Sequence, residues 1–118
     1  MKKADAICRA YKERTPAVTT PKSYREIERY VNDTLPYYEA ALRRLEELEP
    51  PSSDADAVAA WLAADRRVAR AVRELGAAAA RRDFPSVTAA ASRAQLAGSR
   101  SRRAAAGLGL QVCANVGS

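Results

Sequence analysis

Residues 54–82 read DADAVAAWLAADRRVARAVRELGAAAARR. Val58, Trp61, Asp65, Val68, Val72, Leu75 and Ala79 recur at alternating steps of three and four, with Leu62 beside them. That spacing draws one apolar stripe along a helix. Ser53 or Asp54 stands where a cap belongs, and Asp54 and Asp56 suit the positive end of the helix dipole. The helix is expected to reach about Arg82. Two residues of this helix need a reason. Gly76 costs about 1 kcal/mol relative to alanine in a helix, a cost explained if a neighbouring helix approaches closely there. Asp65 sits between Trp61 and Val68. A buried carboxylate is expensive without a partner, so one is expected, such as an arginine from another helix.

Upstream, Tyr24, Glu28, Val31, Leu35, Tyr38, Leu42 and Leu45 follow the same rhythm, with Ile27 flanking. Ser23 and Glu26 form a capping box at its start. Pro36 lies inside the pattern and is expected to kink the helix near Asn32 or Asp33. The helix stops near Leu48, before Glu49-Pro50-Pro51-Ser52-Ser53. Downstream, Asp83-Phe84-Pro85-Ser86 is a break in which Asp83 caps a fourth helix and Pro85 occupies its first turn. That helix is expected to run to about Ala106 with a small apolar face (Val87, Ala90, Ala91, Ala94, Ala97, Gly98, Ser101, Ala105 and Leu108), and Gly107 and Gly109 are its stop signals. At the start of the chain, Ala4, Ile7, Cys8 and Tyr11 mark a helix from about Lys3 to Arg14, stopped by Thr15-Pro16-Ala17-Val18-Thr19-Thr20-Pro21. The expected architecture is a single all-α domain over residues 1–118. It is read as an antiparallel up-down four-helix bundle with a short first helix and a kinked second one.

Composition narrows the chemistry. The 118 residues contain no histidine and two cysteines. This excludes His-based triads, His-ligated haem and most zinc sites. No phosphate-cradling glycine loop is present. No metal site, cofactor or enzymatic activity is therefore expected. No apolar run approaches the roughly 18–20 residues of a membrane span. Net charge is +6. It is concentrated late: residues 66–118 hold ten arginines against Glu74 and Asp83.

Cys8 lies on the second turn of the first helix. In an up-down bundle the fourth helix returns to the same end. The tail Leu108-Gly109-Leu110-Gln111-Val112-Cys113 is apolar enough to fold back over it. A Cys8–Cys113 disulfide is the expected outcome, with two buried free thiols as the alternative. A disulfide argues for an oxidising compartment. Met1-Lys2-Lys3 starts like a signal peptide, but no apolar segment follows. Extracytoplasmic placement is accordingly read as requiring a leader outside this chain; the cytoplasm is the alternative.

The opening Ala4-Asp5-Ala6-Ile7-Cys8, the break Leu48-Glu49-Pro50-Pro51 and the close Gly107-Leu108-Gly109-Leu110 before Cys113 resemble small Ala/Arg-rich exported or lipoprotein-like proteins of actinobacteria. The resemblance implies export and a helical bundle. It implies no chemistry and no functional residues.

Three functions are weighed. The first is a non-enzymatic interaction or structural module with a protein or cell-envelope partner, as a monomer or a dimer. The second is a polyanion binder. Arg66, Arg70 and Arg73 share a face of the third helix, and Arg93, Arg100 and Arg103 share one of the fourth. Nucleic acid is less favoured, because no aromatic residues interleave with these arginines. The third is a carrier of small apolar ligands, with Tyr30, Tyr37 and Trp61 lining a groove opened by the Pro36 kink.

Overall fold

The computed structural model describes residues 1–16 and 20–116. It contains four α-helices and, among the described residues, no strand. They are α1 (Lys2–Arg14), α2 (Tyr24–Glu46), α3 (Ala55–Ala80) and α4 (Phe84–Gly107). Single 3₁₀ turns occupy Ser52–Asp54 and Cys113–Asn115. Ala17, Val18 and Thr19, in the break expected after the first helix, lie outside the described residues.

The helix ends follow the local chemistry with four corrections, one being that α3 ends at Ala80, two residues short of Arg82. The Ser23 hydroxyl accepts the Glu26 N–H at 3.1 Å, as expected. The reciprocal arm differs, since the Glu26 carboxylate accepts from the Lys22 N–H rather than from Ser23. Asp54 makes no side-chain cap, because the preceding 3₁₀ turn already engages the chain there. α2 stops at Glu46, two residues early, as its chain turns toward Pro50 and Pro51. α2 runs as one helix through Pro36. Asp83 accepts from the Ser86 N–H at 3.3 Å and from its hydroxyl at 2.7 Å, and so starts α4. These bonds hold the Asp83 carboxyl below its usual range. α4 ends with Gly109 at φ 77°, which lets the Leu110 N–H reach the Ala105 carbonyl at 3.0 Å.

α3 is the central element and packs against both α2 and α4. Among the described residues, no Cα of α2 lies within 8 Å of a Cα of α4. Arg66 meets Glu46, Arg73 meets Glu39 and Arg82 meets Glu28, so rising numbers on α3 meet falling numbers on α2. Gly76 lies at the α2–α3 crossing. A Cβ there would stand 2.9 Å from Val31 Cγ1, which accounts for its tolerated cost. α1 rests on α2 and on the closing 3₁₀ turn.

The core is concentrated at that end. Ala4, Ile7 and Cys8 of α1 join Leu42, Leu45, Val58, Trp61, Leu62, Ala105, Leu110 and Cys113. Cys8 and Cys113 are bonded, with Cα atoms 5.3 Å apart. The Asp5 carboxylate accepts the backbone N–H groups of Val112 and Cys113, both at 3.2 Å. Tail and first helix are thus tied twice. Among the described residues no helix is long and apolar enough to cross a membrane.

Candidate functional site: an apolar groove over an aspartate

Length decides where the site lies. At 1.5 Å per residue, the 13 residues of α1 span about 20 Å, whereas α2, α3 and α4, with 23 to 26, span about 35–39 Å. α1 therefore covers only one end of the space between α2 and α4. The remainder is a cavity of about 550 Å³. α3 forms its floor with Asp65, Val68, Val72 and Leu75. Ile27, Tyr30 and Tyr38 stand on the α2 side, and Ala91, Ala94 and Gly98 on the α4 side. Val68, Val72 and Leu75 occupy stripe positions yet are only half-buried, because α1 is too short to reach over them. The small residues of α4 have the same consequence: they leave space rather than filling it.

Polar groups converge at one point. Asp65 is 6% exposed. Its Oδ1 accepts the Tyr38 hydroxyl at 2.9 Å and a second hydrogen bond from the Ser101 hydroxyl. The expected arginine partner is not used. Arg66, next in sequence, points elsewhere and bonds Glu46 at 3.0 Å. Two neutral hydroxyls from α2 and α4 take its place, which places all three long helices on one carboxylate. Burial pushes the Asp65 carboxyl above its usual range, against the lowering effect of the Ser101 and Tyr38 bonds and of the Arg66 charge. Burial and the adjacent Asp65 push Tyr38 well above the ordinary tyrosine value. Tyr11, edge-on to Tyr38 with ring centroids 5.5 Å apart, is pushed up to about 12, chiefly by burial.

The three aromatic residues expected at a groove part company. Tyr30 lines it, and burial raises its hydroxyl pKa. Trp61 lines it from the packed end and is 2% exposed. Tyr37 is 45% exposed and is not among the lining residues. Its neighbour Tyr38 lines the groove instead, since adjacent helical residues point about 100° apart. The four-three series through Val31, Leu35 and Tyr38 already carried that signal. Tyr11 and Ser101 complete the site.

The arginine stripes are partly neutralised by carboxylates of neighbouring helices. Arg66 pairs with Glu46, Arg73 with Glu39, and Arg93 with Glu74 at 2.7 Å. These pairs are solvent-exposed and hold each charge against another helix more than they stabilise the fold. Arg70, Arg100 and Arg103 have no carboxylate partner among the described residues. No protein-family model, curated protein or solved structure matches the chain.

Proposed function

We propose that this protein binds an elongated apolar ligand in the groove between α2 and α4. One observation carries the reading. The apolar stripe of α3 continues for three positions beyond the reach of α1, into a cavity whose polar groups converge at Asp65. A cavity of about 550 Å³ with apolar walls and few polar groups suits a small ligand. The helices are read as an antiparallel up-down four-helix bundle whose first place is filled along half its length. This reading prefers the carrier function over an interaction module and over a polyanion binder, for which three of six candidate arginines are already paired. The Cys8–Cys113 bond supports an extracytoplasmic setting, in keeping with the likeness to exported actinobacterial proteins.

The test is a titration with Nile red, a neutral apolar dye. One dye per chain is expected to bind, with enhanced emission and a change in Trp61 fluorescence. Ala94→Trp, which places bulk in the groove from α4, should abolish binding while leaving helical content unchanged. Dye binding that is absent, or that Ala94→Trp leaves intact, overturns the reading.

A further inference from the structure

We infer that the ligand is a cationic amphiphile, held by a protonated amine against Asp65 Oδ2 with its apolar chain along α3. The inference rests on the groove reading above.

The carboxylate is half used. Both hydroxyl donors, from Tyr38 and Ser101, go to Oδ1. Oδ2 accepts no hydrogen bond. Among the described residues, no polar side-chain atom sealed from solvent lacks a partner. Oδ2 is therefore open, and the space it opens to is the groove that Asp65 lines. An open acceptor at the foot of an apolar cavity selects a donor.

Charge selects which donor. Two hydroxyls stabilise a carboxylate but do not cancel its charge. Asp65 has no ion-pair partner among the described residues, since Arg66 is bonded to Glu46 across the α2–α3 seam. Arg102, the cation among the lining residues, follows Ser101 on α4, but its guanidinium folds back one turn against Gly98, where it would stand 3.2 Å from a Cβ, and it makes no ion pair with Asp65. A desolvated charge is normally paired. A ligand ammonium supplies both the missing charge and the missing N–H, in the stronger class of hydrogen bond. Tyr11, Tyr30 and Tyr38 line the same stretch, and aromatic rings are favourable neighbours for organic cations.

The chain has a path. From Asp65, the floor continues through Val68 and Val72 to Leu75, about 15 Å at 1.5 Å per residue. Ile27 and Val87 border its far end. A dodecyl chain matches that run.

The experiment displaces Nile red from the oxidised full chain with dodecylamine, dodecanol or dodecanoate, each below its micellar concentration at pH 7. Dodecylamine is expected to act at roughly tenfold lower concentration than dodecanol, as one charge-assisted bond implies. Asp65→Asn should erase that advantage and leave dodecanol unchanged. Should Asp65→Asn fail to fold, the wild-type pH profile decides. The amine stays charged on acidification, so its advantage must fall as Asp65 protonates, while Arg66 and Arg102 keep their charge. If dodecanol or dodecanoate equals the amine, or if the advantage survives both arms, the amine assignment fails and the groove reading stands. If no chain and no dye binds, both fail.

Discussion

Removing the Cys8–Cys113 bond should lower the melting temperature by roughly 20 °C. The bonded residues are 105 apart in sequence. Cross-linking so long a loop removes about 4.7 kcal/mol of chain entropy from the unfolded state at 25 °C. Unfolding entropy of about 2.1 cal/mol/K per residue gives roughly 250 cal/mol/K for 118 residues, and the ratio sets the expected shift. The native contacts of α1 survive the change, because Ala4 and Ile7 remain buried and Asp5 still accepts from Val112 and Cys113. A helix of 13 residues is nevertheless marginal alone, so these contacts must now hold it without a tether. The assay is a far-ultraviolet circular dichroism melt of the oxidised protein, the reduced protein and Cys8→Ala/Cys113→Ala. Urea titrations should show a larger m-value without the bond, since the freed chain exposes more surface. A shift under about 5 °C, or an unchanged m-value, would refute the entropy reasoning.

Helix propensity alone makes Gly76→Ala stabilising by about 1 kcal/mol; the structure reverses the sign. The new Cβ meets buried, β-branched Val31, whose rotamer is stiff, and overpacking of about 1–3 kcal/mol wins, giving a lower urea midpoint. For Asp65, a folded pKa raised above the unfolded value means its contribution is present below the unfolded pKa and lost as pH rises through the folded one. Asp65→Asn should therefore raise the melting temperature at pH 7, and the difference should vanish toward pH ~3. Tyr11 and Tyr38 are also raised, so their contributions are lost as pH climbs through their folded values. Tyr30 is raised by burial as well, so an alkaline absorbance titration should show three late tyrosines ionising together with unfolding, and Tyr38→Phe should remove one.

The helices were legible because their signals are local. Ser23 and Asp83 cap by side chains three residues from their targets, and Gly109 needs only its own backbone freedom. Gly76 was legible as a cost in need of a neighbour, though not which neighbour. The Cys8–Cys113 pair followed from helix count and direction. The groove was harder, because the relevant quantity is an absence. Val68, Val72 and Leu75 read as core, and the 13-residue length of α1 against the 26 of α3 leaves them only half-buried among the described residues. Asp65 stood out at once, but its partners lie 27 and 36 residues away on different helices, and hydroxyls leave no charge pattern to search for. Tyr37 and Tyr38 differ by one position and 100° of rotation, and the stripe through Val31 and Leu35 selects the second.

The most direct test is a methyl-resolved NMR titration of the oxidised protein with dodecylamine. The groove account predicts saturable shifts at the Val68, Val72, Leu75, Ile27 and Val87 methyls and at Trp61, with Leu96 and Leu108 unmoved. Shifts spread evenly over the surface, or confined to methyls outside the groove, would contradict it.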